Sequence, residues 1–231
     1  MIFGLLTNII DYTNKIKVLN FFKKKLSQNS LNVIDVGGHK GETINFFIKN
    51  FNINKIYVFE PNRQLYQTLI KKYKNQNIFI FNYAVGFQNE KKELNISIDS
   101  ASSTINKINT NTNYFKRKQK FLTFGKNKTY FVDIQEIEII NLSEFLLKKE
   151  NKIDILKIDT EGYELNILKG ISYNDFKKIK FIYFEHHYDL MIDKGYKFSD
   201  INKLLKNNNF SLKYKLRMKF RKSFEYIYES N

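Results

Sequence analysis

The sequence predicts a doubly wound α/β domain with a mostly parallel sheet and a C-terminal antiparallel hairpin. Short apolar runs alternate with helical patterns along most of the chain, which is typical of βαβ units with helices on both faces of a sheet. The chain ends in two strands joined too tightly for a crossover helix, which predicts the hairpin. At 231 residues and 42% hydrophobic content, the chain is long enough to bury one large core.

The first element is an amphipathic helix over residues 5–26. Its apolar residues are spaced three or four apart: Leu5, Ile9, Tyr12, Ile16, Leu19 and Phe22. The basic end, Phe21 to Lys25, could lie on an anionic membrane. Packing of the helix on the protein's own sheet is the favoured interpretation. We therefore divide the chain into an N-terminal helical segment, 1–30, and a domain over 31–231.

The remaining elements follow in order. Strands are predicted at 31–36, 55–59, 78–83, 153–158 and 181–184, helices at 42–51, 64–73, 163–169 and 199–206, and the hairpin at 210–220 and 224–228. Two further strands, around 92–98 and 131–140, interrupt the alternation. Between them, residues 99–130 are polar, Asn-rich and basic. Because loops of that length are usually functional or disordered, we predict a mobile insertion that could act as a lid.

Composition excludes several classes of function. The chain has no cysteine, which excludes disulfides, thiolate metal sites and a cytosine-C5 methyltransferase that attacks its base through a thiolate. The formal charge of +16 invites a nucleic-acid interpretation. However, the abundant Lys, Asn, Ile, Phe and Tyr share A/T-rich codons, and genome bias or solubility is the favoured explanation. No apolar stretch approaches a membrane span and no signal peptide is recognisable, which predicts a cytoplasmic protein.

A glycine loop, Asp35-Val36-Gly37-Gly38-His39-Lys40-Gly41, joins the first strand of the domain to its first helix. The glycines allow close approach of backbone to a ligand, and Glu60, ending the second strand, can accept both ribose hydroxyls of an adenosine. A dinucleotide and S-adenosylmethionine both fit this arrangement. The dinucleotide fingerprint fails because Val36 stands where its first glycine is required. The looser acid-x-Gly pattern is met by Asp35 and Gly37, with Asp35 placed to bind the amino group of a methionine moiety.

Four further motifs accompany the glycine loop. They are Val58-Phe59-Glu60-Pro61, Asn82-Tyr83-Ala84-Val85-Gly86, Ser102-Ser103 and Leu156-Lys157-Ile158-Asp159-Thr160-Glu161-Gly162-Tyr163-Glu164. Together the five motifs resemble those of the FkbM family of class I methyltransferases, from about Leu31 to Tyr188. The chain departs from the family at His39, where members commonly carry Asn.

The resemblance implies a seven-stranded Rossmann-like sheet and S-adenosylmethionine as the methyl donor. It also implies a hydroxyl acceptor, with a sugar, a glycan or a secondary metabolite as the expected class of substrate. The expected cofactor-binding residues are Asp35, Gly37, Gly38, His39, Gly41, Glu60, Pro61, Asn82, Ala84 and Ser103. Peripheral membrane contact stays open, and no oligomeric state is predicted.

The acidic block after the fourth strand and the end of the fifth strand supply the candidate catalytic residues. Ligands bind at the carboxyl ends of parallel strands, so Asp159 is expected to face the transferring methyl group. Glu161 and Glu164 are expected on a shared helical face, with Glu164 structural. Period two places His187 and Glu185 on one face of the fifth strand. Asp159, Glu161 and His187 are therefore the predicted catalytic residues, since a carboxylate or imidazole can take the proton of a hydroxyl acceptor.

Alternatives stay open. Asp159 with Glu185 or His187 could hold a divalent metal, although the spacing matches no known ligand motif and no metal is predicted. The basic face of residues 213–222 (Lys213, Lys215, Arg217, Lys219 and Arg221) could bind nucleic acid or a phosphate-bearing carrier, but a solvated outer face is favoured. An RNA methyltransferase, an NAD-dependent oxidoreductase and a non-enzymatic nucleotide-binding module are the alternative functions. The only proline is Pro61, which excludes the Pro-Pro motif common in amino methylation of bases.

Overall fold

The structure is a computed structural model that describes residues 2–26, 30–123, 129–218 and 222–231. The helices are α1 (Ile2–Leu26), α2 (Glu42–Asn50), α3 (Arg63–Lys72), α4 (Asn113–Leu122), α5 (Glu164–Lys169), α6 (Tyr173–Phe176) and α7 (Phe198–Asn207). The strands are β1 (Leu31–Val36), β2 (Ile53–Phe59), β3 (Ile78–Phe81), β4 (Ala84–Gly86), β5 (Glu90–Ser97), β6 (Lys107–Ile108), β7 (Phe131–Asn141), β8 (Ile153–Ile158), β9 (Ile179–His187), β10 (Ile192–Asp193), β11 (Phe210–Arg217) and β12 (Ser223–Ser230).

The main sheet has seven strands in the order β11-β12-β9-β8-β1-β2-β3. Strands β3, β2, β1, β8 and β9 are parallel, whereas β12 runs antiparallel to both β9 and β11. The predicted α/β class, the seven-stranded sheet and the antiparallel hairpin are therefore confirmed. The last strand enters between β9 and β11 rather than at the sheet edge. Strand β11 ends at Arg217, earlier than predicted, and residues 219–221 lie outside the described part.

Helices cover both faces of the sheet, so the central strands are buried on both sides. Every residue of β8 is buried, and adjacent residues of β1 enter different cores. Val33 belongs to the core beneath α1 and α2, and Ile34 to the core beneath α5 and α7. This explains why β1, β8 and β9 read as continuous apolar runs rather than alternating ones. Among the described residues, no helix is long and apolar enough to cross a membrane.

Helix α1 packs on the sheet through its second half. Val18, Phe22 and Leu26 are at most 2% exposed, and the Phe22 ring packs edge-on against Phe181 of β9. These buried positions are spaced four apart, so the buried face is rotated from the predicted one, and Ile16 is 37% exposed. The predicted positions Leu5, Ile9 and Tyr12 have side chains outside the described part. Packing of Phe22 on Phe181 determines which face of α1 is buried, and the spacing of apolar residues along the helix did not predict that face.

The insertion predicted over residues 99–130 has regular secondary structure in its described part, whereas its mobility stays a prediction. Its described part contains a 3₁₀ turn (Ser100–Ser102), β6, which pairs with β10, and α4. Phe115 of α4 is 5% exposed and packs against Tyr130 and Met191. Few apolar residues of the insertion are enough to anchor it, because their partners come from distant parts of the chain. The flanking strands β5 and β7 pair antiparallel in a separate sheet of order β4-β7-β5.

Candidate active site

A cavity of about 330 Å³ opens at the carboxyl ends of the central strands. Nine predicted site residues line it: Gly37, Gly38, His39, Glu60, Pro61, Ala84, Ser103, Asp159 and Glu161. The other four, Asp35, Gly41, Asn82 and His187, adjoin residues of its wall. The structure thus brings the glycine loop, the end of β2, the start of the insertion and the acidic block to one edge of the sheet.

The glycine loop approaches β8 too closely for side chains. A Cβ atom on Gly37, whose φ is +94°, would lie 2.0 Å from the carbonyl oxygen of Asp159. On Gly38 it would lie 2.4 Å from Val58, and Gly41, with φ +86°, faces Tyr73 in the same way. The amides of Gly37 and Gly38 both donate to the carbonyl of Phe59. Gly37 and Gly38 therefore present backbone alone to a ligand above them, whereas His39 brings a side chain of the loop to the cavity.

Glu60 is buried at the end of β2 and is held by backbone amides. Its Oε2 accepts the His39 N–H at 2.7 Å and its Oε1 accepts the Asn62 N–H at 2.9 Å. Burial raises the pKa of Glu60 to about 7, although these hydrogen bonds oppose it. Each carboxylate oxygen keeps a further lone pair for a ligand hydroxyl. Asn82 donates to the carbonyls of Glu60 and Pro61, so it supports this loop and faces a neighbouring groove.

His39, the departure from the family pattern, connects the glycine loop to the insertion. Its φ is +45°, and its Nε2 lies 2.8 Å from the hydroxyl of Ser100. Its Nδ1 lies 3.3 Å from Glu42 at the start of α2. The imidazole therefore spans the distance between the loop and the 3₁₀ turn, which a shorter Asn would bridge less readily.

Asp35 of β1 is fully buried. It lies beneath the floor of the cavity, beside Lys157 of β8. The Thr43 hydroxyl is close enough to act on its carboxylate, but the contact falls short of full hydrogen-bond geometry. Burial raises the pKa of Asp35 to about 8, against the nearby Lys157 ammonium and the Thr43 hydroxyl, which lower it. A buried carboxyl that lacks a well-formed hydrogen bond is costly, so it is a fitting counterpart for a ligand ammonium group.

Asp159 follows β8 and faces the cavity. Its amide donates to the carbonyl of Val36 at 2.9 Å, and its Oδ2 lies 3.2 Å from the Nζ of Lys157. The Lys157 side chain is 6% exposed, and its ammonium lies 4.8 Å from the centre of the Tyr183 ring. The sequence interpretation missed Lys157 as a site residue. Period two in β8, which aligns Lys157 with the buried Ile155, was the signal that could have identified it.

Glu161 lies in a left-handed turn, not on a helix. Its φ is +50°, that of Gly162 is +97°, and α5 begins only at Glu164, so the predicted shared helical face of Glu161 and Glu164 was wrong. Glu164 accepts hydrogen bonds from the Gly162 amide and the Tyr196 hydroxyl, which fixes the turn. The carbonyl of Glu161 accepts the Thr104 hydroxyl at 2.9 Å. The turn thus directs the two carboxylates apart.

His187 lies behind Glu161 among acidic groups. Its Nε2 is 3.4 Å from Glu161 and 3.6 Å from Glu185, and its Nδ1 is 3.5 Å from Asp189. Burial disfavours the imidazolium, but these carboxylates outweigh it and raise the pKa of His187 to about 10. Burial also raises the pKa of Glu161 to about 7, although His187 and Lys118 lower it. At neutral pH His187 is therefore a cation, and Glu161 is the group poised to exchange a proton.

The cavity continues beyond the predicted residues, between α1 and the terminal hairpin. Asn14, Tyr183, Met218 and Glu225 line this end, and none was predicted as a site residue. The alternation Phe224-Glu225-Tyr226-Ile227, which puts an acid on the face of a buried Ile, was the signal for Glu225. Within the described ranges, no group of three or more His, Asp or Glu side chains is arranged to hold a metal ion.

Comparison with known proteins identifies one family. The family model described as "Methyltransferase FkbM domain" matches residues 35–212. No curated protein sequence matches the chain significantly.

Several solved structures share the fold. The methyltransferase FkbM from Methylobacillus flagellatus KT gives a TM-score of 0.52 at 14% identity, over 86% of this chain and 44% of that one. Magnesium protoporphyrin IX methyltransferase (ChlM) from Synechocystis PCC 6803, with bound SAM, gives a TM-score of 0.53 at 10% identity. The match covers 96% of this chain and 81% of that one. TrmK from M. capricolum, in complex with S-adenosyl-homocysteine, gives a TM-score of 0.50 at 15% identity. The match covers 92% of this chain and 67% of that one. The chain spans less than half the length of the Methylobacillus protein.

Proposed function

The chain belongs to the FkbM methyltransferase family, and from that premise we propose that it transfers the methyl group of S-adenosylmethionine to a hydroxyl of a sugar, a glycan or a secondary metabolite. The family model covers residues 35–212, which include the glycine loop and the acidic block. The observation that carries the proposal is a cavity lined by the backbone of Gly37 and Gly38, by Glu60 and by the carboxylates of Asp159 and Glu161.

The residues present fit the proposed cofactor. The solved neighbours with bound SAM and S-adenosyl-homocysteine support it. In our proposal, the rigidly held oxygens of Glu60 accept the ribose hydroxyls, and Asp35, beneath the cavity floor, supplies negative charge to the ammonium of the methionine moiety. Pro61, Ala84 and Ser103 form walls of the same cavity.

The remaining predicted residues have supporting roles in this scheme. Gly41 closes the glycine loop, because its amide donates to the carbonyl of Gly38 at 2.8 Å. Asn82 holds the segment that carries Glu60, and His39 connects the loop to the insertion.

S-adenosylmethionine supplies a methyl group that is already activated by its sulfonium. The chain's own residues therefore have to position an acceptor hydroxyl and receive its proton, and a well-placed base contributes about 10²–10⁴-fold to such a step. We assign the proton acceptor to Glu161. The imidazolium of His187, 3.4 Å away, lowers the pKa of this carboxylate against the effect of burial, so that it titrates near neutral pH. Asp159, oriented by Lys157, is suited to bind the acceptor hydroxyl.

The nucleic-acid alternative gains no specific support. On the basic strand, the Nζ of Lys213 lies 3.9 Å from Oε2 of Glu229, and the ammonium of Lys215 lies 4.5 Å from the centre of the Phe224 ring. Contacts within the protein therefore account for two of these side chains. Lys219 and Arg221 lie outside the described residues.

Calorimetry tests the proposal directly. We expect S-adenosylmethionine and S-adenosyl-homocysteine to bind, and NAD to show no measurable binding. Release of S-adenosyl-homocysteine should then depend on a hydroxyl-bearing acceptor, with the product carrying the methyl group on oxygen. Binding of NAD in preference to S-adenosylmethionine would contradict the proposal.

A further inference from the structure

A row of polar side chains crosses four neighbouring strands on the face of the main sheet that α1 and α2 cover. Strand register places Asp35 of β1 beside Lys157 of β8, and Lys157 beside Tyr183 of β9. On the next strand, Glu225 of β12 is paired with Glu185 of β9. All of these except Asp35 line the cavity. The row therefore extends the cavity away from the glycine loop, beneath the second half of α1.

The ammonium group of Lys157, the buried cation of this row, already contacts groups of the protein. Lys157 contacts Asp159 at 3.2 Å and lies over the Tyr183 ring. The Tyr183 hydroxyl in turn donates to Oε1 of Glu225 at 2.5 Å. Burial raises the pKa of Glu225 to about 7, and the charges of Glu185 and Asp159 add to this, whereas Lys157 and the Tyr183 hydrogen bond lower it. Glu225 is thus short of positive partners.

This end of the cavity is acidic in a strongly basic chain. The chain has a formal charge of +16, yet four carboxylates lie here or nearby, on Asp159, Glu161, Glu185 and Glu225. Their cationic neighbours are Lys157, His187 and Lys118, and Lys15 lines the cavity with an exposed side chain. His187 and Lys118 act on Glu161, so Glu225 shares the ammonium of Lys157 with Asp159, in a chain whose composition favours positive charge.

We propose that this end of the cavity binds a hydroxyl-rich acceptor that carries an ammonium group, such as an amino sugar, and that Glu225 selects it. An ammonium group would donate charge-assisted hydrogen bonds to Glu225, and the hydroxyls would donate to the neighbouring carboxylates. An acceptor with a carboxylate or phosphate at the same position would meet like charge. The inference rests on the proposed function, since the group bound here is the proposed methyl acceptor.

Calorimetry with a matched series of sugars tests the inference. The protein is saturated with S-adenosyl-homocysteine at pH 7.5 and titrated with methyl 6-amino-6-deoxyglucoside, methyl glucoside and methyl glucuronide, which differ only at C6. We expect the ammonium sugar to bind at least about tenfold more tightly than the glucuronide, with the neutral sugar between them. Equal affinities, tighter binding of the glucuronide, or no binding of any of the three would overturn the inference.

Two variants assign the preference to Glu225. Glu225→Gln keeps the shape of the side chain but removes its charge, so the preference should fall below about twofold while S-adenosyl-homocysteine still binds. Glu229→Gln is the matched control, because Glu229 lies on the same strand and pairs with Lys25 at 3.0 Å. A Glu225→Gln protein that keeps the full preference would refute the role of Glu225.

The two proposals fail in different ways. If the wild-type protein does not bind S-adenosyl-homocysteine, the proposed function fails. If it binds this ligand but shows no ammonium preference, only the inference about the acceptor fails. The wild-type series decides this even if Glu225→Gln does not fold.

Discussion

Near neutral pH, Glu161 is the group that titrates and His187 is the group that stays charged, which is the reverse of what their residue types suggest. An isolated imidazole titrates near neutral pH and an isolated carboxylate well below it. Three carboxylates around His187 raise its pKa to about 10, and burial raises that of Glu161 to about 7. The sequence identified both residues as catalytic candidates, but the assignment of the base depends on neighbours contributed by other strands and by α4.

Replacing Glu161 with Gln should reduce methyl transfer by about 10²–10⁴-fold and leave cofactor affinity unchanged. The rate of the wild-type protein should rise with pH through the pKa of Glu161, about 7, because the ionised carboxylate accepts the proton. His187→Gln removes a charge that lowers this pKa, so its profile should shift to higher pH. The check is a pH–rate profile with an acceptor that the wild-type protein methylates. Glu136→Gln, exposed on β7, is the control, and wild-type turnover by Glu161→Gln would contradict the assignment.

Glu60→Gln should weaken binding of S-adenosylmethionine by at least about tenfold, because an amide cannot accept both backbone amides and both ribose hydroxyls. Since the pKa of Glu60 is about 7 and that of Asp35 about 8, wild-type affinity should rise between pH 6 and pH 8 as both ionise. Calorimetry at these pH values measures both effects. Glu93→Gln, exposed on β5, should bind as the wild type does. An unchanged dissociation constant for Glu60→Gln would remove Glu60 from the cofactor site.

At the scale of elements, the insertion joins the site through a few polar contacts. Ser100 contacts His39, Thr104 contacts the carbonyl of Glu161, and the ammonium of Lys118 donates to Ser102 at 2.6 Å. Periodicity could not predict this arrangement, because β6 and β10 have two residues each and α4 packs on residues far away in sequence. The described part of the insertion, which we call the cover, therefore contacts both the glycine loop and the turn that contains Glu161.

The cover should become more resistant to protease when cofactor binds. Trypsin sites between Lys116 and Lys120 lie on α4, and cleavage there requires α4 to open. Because Ser100 and Ser103 line the cavity, we expect S-adenosyl-homocysteine to slow cleavage several-fold. Phe115→Ala removes the buried anchor of α4 and should accelerate cleavage with and without ligand. Limited proteolysis followed by mass spectrometry measures the rates, and identical rates with and without ligand would show that the cover does not respond.

At the scale of the whole molecule, the main sheet was predictable and the charge distribution was not. The central strands are contiguous apolar runs separated by helical periodicity, so local patterns suffice to identify them. Asp35, Lys157, Tyr183 and Glu225 come from four segments, and only the strand order brings them into one row. The sequence predicted Asp35 and Glu60 because each lies near the carboxyl end of a strand, beside glycines or proline. Glu225 is more than 160 residues from that motif, and no local pattern connects the two.

The buried acidic groups should make the ligand-free protein less stable as pH rises from 5.5 to 8. Glu60, Glu161 and Glu225 have pKa values of about 7 and Asp35 of about 8, all raised above their unfolded values, so the native state holds more protons over this interval. Stability falls with pH wherever the native state binds more protons. His187, raised to about 10, adds to the fall above its unfolded pKa of about 6.5.

We expect the melting temperature of the ligand-free protein to drop by at least about 5 °C across this interval, measured by calorimetric scans at constant ionic strength. Asp35→Asn removes the group with the highest of the four carboxyl pKa values and should flatten the slope, whereas Asp133→Asn, exposed on β7, should not. Bound S-adenosylmethionine should also flatten it, because its hydroxyls and ammonium favour the ionised forms of Glu60 and Asp35. A melting temperature that rises with pH would show that these carboxyls ionise freely in the native protein.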